Sequence, residues 1–492
     1  MRDLKQRAMR GGLAKIVVHI STLLLRTGML MILARLLTPA DFGLVGMVTA
    51  MIGVFSWFRD FGLSAAAVQR HSITPEQSST LFWINLLVGA VLSLTAAAMG
   101  PLASRFYHQP QLIGITAVLA TAFFFNSAGV QHGALLERQM RFVTLSLIDI
   151  VSLVISTSVT ILMALRGLGH WALVANSTIT PFVYSIGVWL AARWVPGRPR
   201  RGQGILSMMR FGGTLTANGL VMYFAMNIDK ILLGRFWGVE ALGIYGRAYQ
   251  LVNTPTDSLN NAAGGVIFAA LCRVQGEAER LRSYFLKAYS LVLSLTVPVT
   301  LMCGLFGDDI INILLGSKWS SAIVVFRCLA PTTLAFAILV PINWLLASRG
   351  LVNRGLKMAL TLASILIAGN AIGVHWGPKG VAIAYSTVMM VTVIPLAAWA
   401  VHGTPISLRQ LLQAIGRPVL SGIVAAVPTF LLRMFIGSAL SPIPRLALSV
   451  AIVCAIYLVI LLYVMGQKNL YVEIFRGFVS PPRADGTVAA SA

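Results

Sequence analysis

Apolar residues run along this chain in long uninterrupted blocks. The stretch "LFWINLLVGAVLSLTAAAMGPL", residues 81–102, carries one Asn and no charge. A half-buried strand would alternate polar and apolar positions, and these blocks do not. Runs of about 20 apolar residues are long enough for a helix to cross a hydrocarbon core of about 30 Å. By that criterion the sequence predicts about fourteen spans. The first six lie near 13–37, 42–66, 81–102, 112–133, 146–166 and 171–194, and the next six near 205–234, 241–271, 284–306, 322–347, 357–375 and 379–401. Two more follow near 414–436 and 446–466. The expected fold is an all-α polytopic membrane protein; high Leu, Ala and Gly without dyad alternation argues against a β-barrel.

Composition agrees. Of 492 residues, 57% are hydrophobic and 11% charged, with a mean hydropathy of +0.82. A soluble chain carries about 25% charged residues. The basic start, "MRDLKQRAMRGGLAK", leads into an apolar stretch too long for a cleaved leader and interrupted by Arg26. It reads as a retained first span. Cys272, Cys303, Cys328 and Cys454 are scattered with no CxxC pair, so neither a disulfide framework nor a metal site is expected, and no cofactor.

The net charge of +23 raises the question of a nucleic-acid partner. Loop charge answers it. With the N-terminus cytoplasmic, 25 of the 38 basic residues fall on that side and 8 on the other, five remaining inside spans. This is the positive-inside bias with both termini cytoplasmic, and it accounts for the charge without nucleic acid. The richest loop, "RWVPGRPRRGQG" (193–204), divides two lobes. The expected organisation is an N-terminal lobe at 1–195, a linker at 196–204, a C-terminal lobe at 205–401, two extra helices at 402–466 and a cytoplasmic tail at 467–492.

An internal repeat supports two lobes. Shifted by 200 residues, "LARLLTPADFGLVGM" (33–47) lies over "LGRFWGVEALGIYGR" (233–247), matching Leu33 with Leu233, Arg35 with Arg235 and Gly43 with Gly243; upstream, Gly12 meets Gly212. Both copies sit at the exit of a lobe's first span. Six spans per lobe give the copies the same orientation, a parallel repeat about an axis along the membrane normal.

Polar groups inside the spans are the candidate chemistry. Lys15, His19, Thr22 and Arg26 share one face of span one. Burying a guanidinium at that depth costs roughly 2.5–3.5 kcal/mol on insertion scales. Span eight has a second stripe, Arg247, Gln250, Thr254, Asp257 and Asn261, with Asn253 and Asn260 beside it and Pro255 as an expected kink. Span two carries Ser56, Arg59 and Asp60; span seven carries Asn218, Asp229 and Lys230. Such stripes face protein or water, and a hydrated cavity between the lobes satisfies all of them. Plainer readings stand beside this one: Lys230, Arg247 and Arg327 are near enough to a span end to snorkel, Asp149 reads as a helix cap or dipole partner, and His19 as a polar wall. A cavity whose deepest groups are guanidinium suits a phosphate-bearing anion. Arg26, Arg59 and Arg247, with His19, Thr22, Gln250, Thr254 and Asn261, are the candidate substrate-binding set. Asp60, Asp229 and Asp257 are the candidate ion-coupling groups, for Na+ or H+.

At "LARLLTPADFGLVGMVTAMIGVFSWFRDFGLSAAAVQR" (33–70) and "NIDKILLGRFWGVEALGIYGRAYQLVNTP" (227–255) the chain resembles bacterial Wzx-type polysaccharide flippases of the MOP superfamily, in the colanic acid and succinoglycan exopolysaccharide branch. The resemblance implies two six-helix lobes plus C-terminal helices. It implies transfer of undecaprenyl-diphosphate-linked oligosaccharides between leaflets by alternating access through a cationic cavity. The implied partners are the lipid-linked oligosaccharide, membrane lipids, a polysaccharide polymerase and chain-length or export proteins. A drug/cation antiporter of the same superfamily is the alternative, but it needs a cavity dominated by carboxylates, and the buried set here is mixed. A membrane-embedded sugar polymerase or ligase is the alternative from another class. It needs a sizeable outside loop with catalytic groups, and the longest expected here, "GDDIINILLGSKWSSA" (307–322), is short and apolar. No Gly-rich ATPase loop is present, so ATP is not expected to drive the process directly.

Overall fold

The computed structural model describes residues 21–57, 74–199, 205–436, 441–468 and 471–472. Among them every regular element is helical. After α1 (21–36) come α2 (Pro39–Ile52), α3 (Pro75–Ala98), α4 (Gly100–Tyr107), α5 (Leu112–Arg138), α6 (Phe142–Leu165) and α7 (His170–Ala192). The long α8 (Ile205–Arg273) precedes α9 (Ala278–Leu305), α10 (Gly307–Leu314), α11 (Ser320–Leu329) and α12 (Pro331–Ser348). The chain ends through α13 (Val352–Gly373), α14 (Gly377–Val401), α15 (Leu408–Ile436) and α16 (Pro442–Val459).

Ten described stretches are long and apolar enough to cross a membrane. One of them, Val352–Val401, holds both α13 and α14. The expected seventh and eighth spans lie within α8, which breaks at Gly238 (φ 81°, ψ −167°), and the first continues in α1. The protein is thus the multi-pass, all-α membrane protein that the apolar blocks predict, with about fourteen spans. Gly238 is needed at the break because that backbone region is open almost only to glycine. Pro255 leaves the dihedrals of α8 helical around it.

Two helix starts follow from capping chemistry. Thr38 and Thr74 each accept a bond from the backbone N–H three residues on, and the side chains of Asp41 and Gln77 return it; a proline follows each cap. This sets the third span to begin at Pro75, ahead of the expected 81. Along α3, Leu87, Val91 and Leu94 are exposed on one face while Leu92 and Ala96 are buried on another. That division suits a helix with one side toward lipid and one toward protein. The stretch expected as an outside loop at 307–322 is instead largely helical, as α10, a 3-10 turn at Ser317–Trp319 and the start of α11. Its apolar residues explain why: they bury, and Trp319 is fully enclosed.

By contact the chain gathers into two compact units. One comprises Met1–Leu251, Ile311–Leu329 and Leu356–Val388; its core joins α2 to α3, α5 and α7 through Met47, Val48, Leu112, Ile115 and Leu119, and takes in Leu242 of α8. The other comprises Val252–Ile310, Ala330–Gly355 and Met389–Ala492. There α9 meets α15 at Gly422, whose absent side chain admits Val297, and the Tyr457 hydroxyl donates to the Ser294 carbonyl at 3.0 Å. Asp309, almost fully buried, is gripped by Arg445, whose Nε donates at 3.1 Å.

Candidate functional site

In the first unit the repeat-related segments touch each other. A Cβ on Gly43 would lie 1.8 Å from the Val239 carbonyl oxygen, and a Cβ on Gly243 would lie 1.8 Å from that of Pro39. Positions 39 and 239, like 43 and 243, are the equivalents of the 200-residue shift, so the two contacts exchange under it. The arginines of the repeat behave alike. Arg35 Nη2 donates to the Ile313 carbonyl at 3.1 Å. Arg235 Nη1 donates to His108 Nδ1 at 2.9 Å. Lys318 Nζ and Trp319 Nε1 add bonds to the Arg35 and Ala34 carbonyls at 3.2 and 2.9 Å. Further along α2, the Tyr223 hydroxyl donates to the Thr49 carbonyl at 2.8 Å. Backbones approach this closely only where side chains are absent, the familiar use of small residues between membrane helices.

Arg247 belongs to this seam. Its guanidinium lies 4.6 Å from the centre of the Phe42 ring, which meets Trp319 edge-on at 5.4 Å. Its Nε is buried with no hydrogen-bond partner among the described residues. The snorkelling alternative does not describe it; the charge is held by a ring face.

A polar cluster on α8 and α14 surrounds Asp229. This carboxylate is fully buried, accepts from the Tyr245 hydroxyl at 2.6 Å through Oδ2, and leaves Oδ1 unpartnered. Lys230 turns inward too: Nζ donates to Asn227 Oδ1 at 2.8 Å and sits 4.6 Å above the Tyr249 ring. The Tyr249 and Tyr385 hydroxyls are 3.3 Å apart. Most of the polar groups of this cluster are paired locally, as a membrane interior favours.

Arg26 is exposed on α1, and its charge acts on Asp149 of α6. Three residues on, Met29 Sδ accepts from Thr157 Oγ1 of α6 at 3.3 Å. Residues three apart share a helix face, so Arg26 is on the side of α1 turned to α6. Asp149 in turn acts on Tyr184 of α7, as does Glu137 at the end of α5. The reading of Asp149 as a cap is corrected: α6 starts at Phe142 with Arg141 as its cap, placing Asp149 about two turns inside.

The remaining predicted residues are distributed as follows. Thr22 is half-buried on α1, Gln250 exposed and Thr254 half-buried on α8, and Asp257 exposed. His19, Arg59 and Asp60, and the Asn261 side chain, lie outside the described residues. Arg26 acts electrostatically on Asp149, and Asp229 is next to Lys230 with Tyr245 and Tyr249 close by. Tyr184, Tyr245 and Tyr385 were missed because hydropathy treats a tyrosine as neutral; a count of hydroxyls on charge-bearing helices would have found them.

Comparison with known proteins places this geometry in context. TuaB, the teichuronic acid biosynthesis protein of Bacillus subtilis (strain 168), is 27% identical over 428 residues, 84% of this chain and 86% of that one. WzxC, the lipopolysaccharide biosynthesis protein of Escherichia coli (strain K12), is 25% identical over 370 residues, 74% of each. Among solved structures, the lipid II flippase MurJ in an inward closed conformation superposes with a TM-score of 0.71 at 11% identity, covering 96% of this chain and 100% of that one. At that identity the likeness shows a shared fold. The polysaccharide biosynthesis protein family matches residues 32–324, more than half of the sequence and both copies of the repeat. The chain belongs to the polysaccharide biosynthesis protein family.

Proposed function

We propose that this protein is a flippase that carries lipid-linked oligosaccharide repeat units, with an undecaprenyl diphosphate carrier, across the bacterial cytoplasmic membrane by alternating access. The observation that carries the reading is the family match over 32–324, supported by relatives whose names place them in teichuronic acid and lipopolysaccharide biosynthesis. A transporter, not an enzyme, fits the relatives and the fold. The termini and the Arg-rich linker face the cytoplasm.

Arg26 is the proposed contact for the cargo diphosphate, with Thr22 beside it. Asp149 refines its role. An isolated guanidinium at this depth is costly, and a carboxylate on the adjoining helix offsets that cost and orients the group. A guanidinium has five N–H donors, more than one carboxylate can take up, so donors remain for phosphate. Arg59, Arg247, His19, Gln250, Thr254 and Asn261 complete the proposed pathway. Asp60, Asp229 and Asp257 are the proposed coupling groups for Na+ or H+. A polymerase and export proteins would take the product.

The test is a deletion strain that accumulates lipid-linked repeat units at the inner leaflet. This chain should restore polymer export there. Arg26→Ala should abolish restoration with protein level unchanged, and Arg26→Lys should restore it only in part, because an ammonium lacks the planar fork. Export by Arg26→Ala at the wild-type rate removes the assignment. A cysteine replacing Thr22 should react with water-soluble thiol reagents; complete inertness would mean a packed or lipid-facing position.

A further inference from the structure

We propose a second, separate site: a pocket at the membrane surface that holds an anionic phospholipid of the surrounding bilayer. The pocket, about 590 Å³, is formed where the turn between α13 and α14 meets the break in α8. Trp237 fixes this meeting. Its indole Nε1 donates to the Val374 carbonyl at 2.6 Å, and its ring lies against Gly377, where a Cβ would be 3.3 Å away. Gly377 has φ +69°, so the turn itself requires a residue without a side chain.

The lining sorts by depth. Trp376, His375 and Lys379 are exposed at the turn, where the chain leaves one span and re-enters the next. Below them Ile372, on the last turn of α13, and Ile383, on the second turn of α14, carry the wall toward the hydrocarbon, and both are exposed. An amphiphile with its head at the turn and a chain along these isoleucines matches that order. The charge selects its sign. No carboxylate lines the pocket, and Lys379 has no ion-pair partner among the described residues. His375 donates from Nδ1 to the Ile372 carbonyl at 3.0 Å, which fixes its ring at the turn. Tryptophan at this level favours the interface, and lysine the phosphate of an anionic headgroup. The site is distinct from the proposed cargo contact on α1 and does not depend on it.

Native mass spectrometry of the full chain in detergent tests the proposal, with phosphatidylglycerol and phosphatidylcholine titrated separately. Phosphatidylglycerol should be retained in preference. Lys379→Gln, a change at an exposed side chain, should weaken that retention about fivefold, the attraction one basic residue exerts on an anionic surface. Trp376→Ala should weaken it as well. Lys357→Gln removes an exposed lysine from the opposite end of α13 and should leave retention unchanged. Equal retention of the two lipids, equal loss in the two lysine variants, or displacement of the lipid by inorganic phosphate would each overturn the assignment.

Discussion

A buried carboxylate inside a membrane helix needs a donor, and at Asp229 the side-chain donor is a tyrosine hydroxyl. Replacing Tyr245 by Phe removes the side-chain hydrogen bond to this buried carboxylate and should lower stability by about 1–2 kcal/mol, read as a drop in thermal unfolding temperature in detergent. Replacing Asp229 by Leu along with Tyr245→Phe should recover most of that loss, since removing both partners is far cheaper than orphaning one. A double variant less stable than Tyr245→Phe alone would mean that the pair is not what fixes this region. The same scale shows what a sequence does and does not disclose. Arg26 is conspicuous because a charge among apolar neighbours carries a known cost. Its electrostatic partner is not, because Asp149 is more than a hundred positions away, and periodicity fixes a helix face without fixing which helix it meets.

Elements were legible where apolar length decides them. The apolar block lengths marked the spans, whereas the starts of α2 and α3 are set by Thr-Pro-x-Asp and Thr-Pro-x-Gln capping signals that hydropathy does not register, so the third span begins at Pro75 and not at 81. The segment 307–322 was not legible as helix, because its short amphipathic pieces are stable only through tertiary burial of residues such as Trp319. The seam between α2 and α8 was half legible: the shift marked Gly43 and Gly243 as equivalent but gave no hint that each would lie on the other's copy. Gly43→Ala and Gly243→Ala should each destabilise the protein by about 1–3 kcal/mol, because the added methyl overlaps a carbonyl that belongs to rigid helix. The two losses should be similar, and the double variant should lose less than their sum, since the first shift relieves the second. Unfolding measurements on the three variants check this; full additivity would show that the contacts are independent.

For the whole molecule, the segregation of basic residues forecasts orientation. In a background lacking Cys272, Cys303, Cys328 and Cys454, a cysteine replacing Arg166 should be labelled by an impermeant reagent in intact cells. One replacing Gln139, exposed at the far end of the intervening helix, should be labelled only after permeabilisation. The reverse pattern would invert the proposed topology. The matched glycines, by contrast, act inside the one compact unit that holds them both. Each backbone is the floor on which the other rests, so neither segment can be thickened or shifted without pressing on its counterpart.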